Sequence, residues 1–183
     1  MKKLLTSFLL LAIIACGQTS KNPDSKKSQT NDDWKTIEQS NYSILYPSTW
    51  DIDQSGQMNT SFIILSPLES AQDKFRENVN LVIQDLTGKN IDLNKYTEIS
   101  VGQIKTLVTN SNLIESNRIK TDSNEFQKII YTGDQGKFNL KFEQYYWVIN
   151  DKAYVLTFTS EQDKFSDFKE RGEKILNSFK FKK

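Results

Sequence analysis

A strong alternation of apolar and polar positions runs from Lys137 to Ser160. Two aromatic segments there flank a short polar turn at residues 150–152, and together they hold seven of the chain's 21 aromatic residues. Alternation with a period of two is typical of β-strands, and a polar turn between two such runs predicts a hairpin. We therefore expect this hairpin to form the centre of an antiparallel sheet.

The register of the hairpin depends on how its apolar rows align. A three-residue loop aligns Val148 with Tyr154 and keeps the rows together. A two-residue loop would place Tyr146 opposite Val155 and mix them. We therefore predict the three-residue loop. Apolar residues also occupy the opposite face near the turn, so the sheet should be covered on both sides.

Other segments predict further strands and two amphipathic helices. The strand candidates are residues 34–38, 42–46, 60–65, 78–86, 113–121 and 125–131. Residues 93–108 change to a period of three and four, which predicts a helix with Asp92 as its N-cap. A last helix follows the hairpin, with Thr159 or Ser160 as its cap. Gly172 lies within the apolar stripe of that helix, so we expect the helix to approach the sheet closely there.

The first 15 residues have the pattern of a secretory signal peptide. Lys2 and Lys3 precede an apolar run over residues 4–14, which is too short to span a bilayer comfortably as a permanent helix. Residues 13–16, Ile-Ile-Ala-Cys, resemble the lipobox of bacterial lipoproteins, in which the signal is cleaved before an acylated cysteine. We therefore expect Cys16 to be the lipidated first residue of the mature protein.

Residues 17–33 are polar and carry no apolar side chain to bury, so they predict a disordered tether about 20–25 Å in end-to-end distance. Two or three acyl chains on Cys16, at about 0.8 kcal/mol per buried methylene, would anchor the protein permanently. The chain thus divides into a signal peptide (1–15), a lipidated cysteine and tether (16–33), and a globular domain (34–183). We expect it on the periplasmic face of the outer or inner membrane.

The composition excludes several classes of function. The net charge is +1, and loss of the signal peptide would leave 22 basic against 23 acidic residues, dispersed among one another. Such a surface does not indicate nucleic-acid binding. The sequence has no histidine, which removes Ser-His triads and most zinc sites, and its one cysteine is expected to be acylated. We expect neither catalysis nor a cofactor.

Several segments resemble one protein family, in the order that the family has them. Residues 42–50, Tyr-Ser-Ile-Leu-Tyr-Pro-Ser-Thr-Trp, look like the opening of the PsbP-like proteins, relatives of the extrinsic oxygen-evolving-complex subunit of photosystem II. Residues 78–83 are similar to their Asn-Val-x-Val strand, and residues 152–156 to their Gly-Lys-x-Tyr-Val-Leu strand. Residues 175–179 resemble the Ser-Phe ending of their last helix.

This resemblance implies an α+β fold, an α/β/α sandwich around an antiparallel sheet, which agrees with the two-faced hairpin and the two helices. It implies little about chemistry, because proteins of this fold serve as assembly factors, protein-binding modules and lipoproteins. Ion-linked roles of the photosynthetic members depend partly on histidines that this chain lacks. The resemblance therefore assigns no binding residue.

Two carboxylate pairs are candidate metal ligands: Asp51 with Asp53, and Asp163 with Asp167. Neither pair has the spacing of an EF-hand loop, and we expect both to be solvated surface. No metal site is therefore predicted.

An aromatic surface is a more specific candidate for a binding site. Trp50, Tyr145 and Trp147 could together stack on a sugar or insert into a partner's pocket. The alternative is that the three rings belong to a core covered by a helix.

Two functions follow from these features. The leading hypothesis is a non-enzymatic, lipid-anchored envelope protein whose domain binds a protein partner or supports assembly. The alternative is capture of a small molecule or a glycan in a cleft near the hairpin.

Overall fold

The described part of the chain comprises residues 33–122 and 124–182 of a computed structural model. The predicted signal peptide, Cys16 and all of the tether except Asp33 lie outside it. Within it the strands are β1 (Trp34–Glu38), β2 (Tyr42–Pro47), β3 (Asp51–Asp53), β4 (Thr60–Leu65), β5 (Asn78–Asp85), β6 (Thr109–Lys120), β7 (Glu125–Gln135), β8 (Phe138–Ile149), β9 (Lys152–Glu161) and β10 (Lys180–Phe181). The α-helices are α1 (Leu93–Leu107) and α2 (Phe165–Asn177).

Seven strands form the main sheet in the order β3-β4-β5-β9-β8-β7-β6, and all neighbours are antiparallel. The predicted hairpin is β8–β9, and β9 is the middle strand. A second sheet has the order β1-β2-β10. The two helices lie on opposite faces of the main sheet, so the predicted α+β sandwich around an antiparallel sheet is confirmed.

The predicted three-residue hairpin loop is wrong. Ile149 pairs with Lys152 and Tyr146 pairs with Val155, which leaves a loop of two residues, Asn150 and Asp151. Both have positive φ, 50° and 54°, as a type I′ turn requires. Because both faces of the sheet are buried, mixing the apolar rows carries no penalty, and the turn geometry decides the register.

Helix α1 begins and ends close to its predicted bounds. The Asp92 side chain accepts a hydrogen bond from the backbone N–H of Lys95 at 2.7 Å, which confirms the predicted N-cap. The buried positions recur at three and four along the helix: Leu93, Tyr96, Ser100 and Ile104. The chain leaves the helix at Val108 and enters β6 at Thr109, earlier than the sequence predicts.

Helix α2 differs from the prediction at its start. The predicted caps, Thr159 and Ser160, are residues of β9, and the N-cap position belongs to Lys164. The strand continues because Thr159 pairs with both β5 and β8, and Ser160 pairs with β8. Gly172 is buried within the apolar face of the helix, against Phe158 of the sheet, as the sequence predicts.

The core has two parts, one on each face of the main sheet. On one face, α1 packs on β7, β8 and β9 through Tyr96 and Ile104, and we call this the α1-side core. On the other face, α2 and the small sheet together cover the rings and aliphatic side chains of β4, β5, β8 and β9, and we call this the α2-side core. The central strands of the main sheet are therefore covered on both faces.

Candidate functional site

The three aromatic residues singled out from the sequence lie in the α2-side core. Trp50, Tyr145 and Trp147 are only 3%, 4% and 3% exposed. The Trp50 ring contacts Phe168 of α2, with ring centroids 6.4 Å apart, and the Trp147 ring lies 5.2 Å from that of Phe179. The structure therefore places these rings in the core, the second of the two positions that the sequence allowed, and they form no surface.

Of the four candidate metal-ligand carboxylates, two make other polar contacts and two are exposed. Asp51 forms an ion pair with Arg76 at 2.6 Å, and Asp53 accepts a hydrogen bond from the backbone N–H of Ser55 at 2.7 Å. Asp163 and Asp167 are exposed. Among residues 33–122 and 124–182, no three His, Cys, Asp or Glu side chains are grouped so as to hold a metal ion.

A cleft of about 440 Å³ lies at one end of the main sheet, where β8 begins and β9 ends. Its lining is polar apart from one ring: Lys137, Phe138, Asn139, Glu161, Gln162 and Asp163. The backbone N–H of Gln162 donates to the carbonyl of Asn139 at 2.9 Å, which fixes the two walls relative to each other. The cleft is thus built by the open end of the central hairpin.

A buried carboxylate, Glu77, lies beside this cleft. Its side chain is 2% exposed, and the Ser66 and Ser160 hydroxyls lie 3.3 and 3.4 Å from its two oxygens. Burial raises the pKa of Glu77 to about 7. Perturbed acids next to a cleft are frequent at functional sites. The alternation of the following strand is consistent with this burial, since Glu77 has the same parity as the buried Val79 and Leu81.

A second buried carboxylate lies under α2. Glu143 is fully buried, and its Oε1 accepts from Lys128 Nζ at 2.9 Å and from the Tyr145 hydroxyl at 3.2 Å, while its Oε2 has no hydrogen-bond partner. Burial alone would lower the pKa of Lys128, but the hydrogen bond and charge of Glu143 raise it. Lys128 also lies 3.7 Å from Glu173 of α2. This group ties the helix to the sheet rather than opening to solvent.

The outer edge of the main sheet is formed by β6. Within the described residues β6 pairs with β7 alone, over a strand of 12 residues that contains no proline. From Glu115 to Lys120 its register is regular, whereas a bulge occurs around Ile114. Leu107 and Ile114 are 61% and 52% exposed, more than any other large apolar side chain of the described residues. An exposed strand edge flanked by apolar side chains can pair with another extended chain.

The architecture defines a class: an antiparallel sheet enclosed by helices, with its exposed surface at the edges and ends. The PsbP-like protein family matches residues 8–181, so the chain belongs to this family. The resemblance seen in the sequence motifs is thereby confirmed. A search of the curated proteins found no match.

Solved structures share the fold at low sequence identity. The cyanobacterial PsbP protein CyanoP of Synechocystis sp. PCC 6803 is 13% identical, with a TM-score of 0.58 over 87% of this chain and 98% of that one. LpqN, involved in cell envelope biogenesis of Mycobacterium tuberculosis, is 12% identical, with a TM-score of 0.62 over 84% and 92%. A protein of unknown function from Pseudomonas aeruginosa is 11% identical, with a TM-score of 0.54 over 79% and 94%.

The described residues include two α-helices, of 15 and 13 residues. Neither α1 nor α2 combines the length and the apolar character needed to cross a bilayer.

Proposed function

We propose that this protein is a non-enzymatic, lipid-anchored envelope lipoprotein whose PsbP-like domain binds a protein partner along the edge strand β6. The observation that carries the proposal is the long strand edge with Leu107 and Ile114 exposed beside it. Addition of an extended segment to a sheet edge is an established mode of peptide recognition, in which backbone hydrogen bonds supply affinity and neighbouring pockets supply specificity.

Anchoring rests on the sequence around Cys16. The apolar leader and the Ile-Ile-Ala-Cys motif support cleavage before Cys16 and acylation of it, which makes the membrane the first partner. LpqN, which shares the fold, is involved in cell envelope biogenesis, and an envelope location is the one proposed here. Intact-mass measurement of the mature chain should show loss of the leader and a mass increase from acyl chains. A Cys16→Ser variant should retain the leader and lack that increase.

A binding role agrees with the side chains that the chain offers. The sequence contains no histidine, and Cys16, its one thiol, is the proposed lipid attachment site. Glu143 is fully buried and its charge is neutralised by the partly exposed Lys128. These features favour recognition over catalysis, and no nucleic acid or cofactor is part of the proposal.

The β6 edge has few of the features that protect sheet edges from pairing. Its charged side chains are confined to Glu115, Arg118 and Lys120, and the two cations pair with Glu125 of the neighbouring strand at 3.5 and 3.8 Å. Natural edges are usually protected by charged side chains, prolines, bulges or shortness. The bulges of β6 lie before Glu115, and the register is regular from Glu115 to Lys120. The opposite edge, β3, has only three residues. The β6 edge is therefore the better candidate of the two.

Site-specific photo-crosslinking in cells tests the proposal. A photoreactive amino acid at Ile114 should give one adduct with another protein, mapped by mass spectrometry to an extended segment of it. The matched control is the same group at Met58, which is 39% exposed and precedes β4. Identical adducts from both positions, no adduct at Ile114, or an adduct of two copies of this chain would each contradict a specific partner at β6.

A second candidate function is capture of a small molecule or glycan in the cleft. It is favoured by the combination of the Phe138 ring with amide and carboxylate side chains, which is suited to sugar stacking and hydroxyl recognition. A ligand-dependent rise in melting temperature that is lost in Phe138→Ala, while Ile114 gives no crosslink, would favour this function over the first.

A further inference from the structure

The connection between β4 and β5 crosses the end of the main sheet beside the cleft. Its middle, residues 67–72, is exposed, whereas Phe75 and Glu77 near its end are 7% and 2% exposed. The Phe75 ring lies 5.2 Å from the ring of Phe138, which lines the cleft. The connection therefore packs, through Phe75, against one residue of the cleft lining. It is held by the buried side chains of Phe75 and Glu77 and, at its exposed part, by the ion pair of Glu69 with Lys164.

Glu77 is fastened by weak polar contacts. The Ser66 hydroxyl, at the start of the connection, donates to the carboxylate at 3.3 Å. The Ser160 hydroxyl, in β9, lies 3.4 Å from the other oxygen but has the Glu161 carbonyl as a nearer acceptor at 2.9 Å. Both distances exceed the usual range for hydroxyl donors. An ionised carboxylate buried with such partners is poorly compensated for the loss of water.

The charges around Glu77 do not supply that compensation. Asp73 of the same connection adds negative charge close to Glu77, and backbone N–H groups of Glu77 and Glu161 favour the carboxylate only in part. The cations on this side are engaged elsewhere, since Arg76 pairs with Asp51 at 2.6 Å and Lys164 with Glu69 at 2.8 Å. In the described part of the chain no ion pair is formed by Glu77 itself.

We propose that residues 66–77 form a pH-dependent flap over this end of the sheet, closed while Glu77 is protonated and released when Glu77 ionises. Release withdraws Phe75 from Phe138 and widens the cleft. This inference concerns the cleft and is independent of partner binding at β6.

The direction of the pH dependence of flap opening follows from proton linkage. Burial holds the pKa of Glu77 at about 7 in the closed flap, whereas the solvated side chain of the open flap has the ordinary carboxyl pKa. Between those two pKa values the closed flap binds a proton that the open flap does not. Each rise of one pH unit therefore increases the equilibrium constant for opening by up to tenfold. Opening should therefore increase by up to about 100-fold from pH 5 to pH 7, and then level off.

Hydrogen exchange with mass spectrometry on the full mature chain in detergent tests the flap. After correction for the intrinsic pH dependence of exchange, protection of amides in residues 67–76 should fall by roughly 10- to 100-fold between pH 5 and pH 7 and change little above that. Amides of α1 serve as the internal reference and should show no such change. In Glu77→Gln the fall should disappear, whereas in the matched control Glu98→Gln, an exposed residue of α1, it should persist.

Ser66→Ala provides a second variant if Glu77→Gln does not fold. The Ser66 hydroxyl lowers the pKa of Glu77. Removing this hydroxyl should raise that pKa, so the pH above which protection stops falling should be higher in the variant. The proposal is overturned if protection of residues 67–76 in the wild type is independent of pH, if the dependence survives in Glu77→Gln, or if Ser66→Ala leaves the profile unchanged.

Discussion

The ring of Phe158 occupies the space into which a side chain at Gly172 would project. A Cβ at Gly172 would lie 2.7 Å from Phe158 Cδ1 and Cε1, closer than such atoms approach in proteins. Gly172 therefore lets α2 approach β9 closely. Gly172→Leu should lower the free energy of unfolding by more than 1 kcal/mol, roughly 1–3 kcal/mol for overpacking, as measured by urea denaturation.

Gly102 provides the matched control for this prediction. It also lies within a helix, but it is exposed in α1 and no atom lies within 4 Å of where its Cβ would be. Gly102→Ala should therefore stabilise the protein by about 0.5–1 kcal/mol through helix propensity alone. A neutral Gly172→Leu would contradict the close packing of α2 on β9.

Lys128 is expected to be the critical partner of Glu143. Lys128→Met would leave a fully buried carboxylate without its cation, at a cost of about 3–5 kcal/mol in urea unfolding. The double variant Lys128→Met with Glu143→Leu should cost less than the single one, because no charge is then stranded. Lys95→Met breaks the exposed Lys95–Glu98 pair and should cost less than 1 kcal/mol. Equal costs for Lys95→Met and Lys128→Met would refute this account of the buried pair.

The hairpin turn should tolerate glycine but not a β-branched residue. Asn150 has φ of 50°, and its neighbour Asp151 accepts a hydrogen bond from the N–H of Leu86 at 2.7 Å. Asn150→Val should destabilise the protein by about 1–2 kcal/mol, because an L-residue with a branched Cβ is strained in the left-handed region. Asn150→Gly should be neutral or stabilising. Thermal unfolding of the two variants checks this, and equal melting temperatures would indicate a different turn.

Tryptophan fluorescence should separate the core rings from Trp34. Trp50 and Trp147 are each 3% exposed, whereas Trp34 is partly exposed and lies under Lys174 Nζ, 4.2 Å from the ring centroid. Iodide should quench the wild type in part and the Trp34→Phe variant only weakly. Strong quenching in that variant would show that Trp50 or Trp147 reaches solvent after all.

Global stability should decrease with rising pH because of Glu77. Its raised pKa of about 7 means that the folded state holds a proton that the unfolded chain releases near its ordinary, lower pKa. The stabilisation is complete below that lower value and is lost as pH rises to about 7, by at most about 1.4 kcal/mol per pH unit. Urea unfolding from pH 4.5 to 8 measures this. The Glu77→Gln variant should lack this component, and an unchanged slope in the variant would assign it to another group.

Much of the fold could be predicted because local chemistry and tertiary packing agree. The period of three and four starting at Leu93, together with Asp92, predicts α1 correctly, since the cap and the buried face are both local features. The central hairpin is predicted from its alternation, and Gly172 from its place in an apolar stripe. These signals depend on neighbours in the sequence.

The predictions from sequence fail where contacts between distant parts of the chain determine the structure. The two-residue turn decides the hairpin register once both faces of the sheet are buried. The start of α2 depends on β9 being paired with β5 up to Thr159 and with β8 up to Glu161. Strands β3 and β10, of three and two residues, are too short for a periodic pattern. The polar partners of Glu77 and Glu143 come from elsewhere in the chain, so the sequence alone does not reveal them.

The central strands of the main sheet are covered on both faces. The layers that hold this domain together are then separate from the strand edge and end loops that face outward. Substitutions along that border should leave the interior undisturbed, which agrees with a scaffold that is kept at only 11–13% identity.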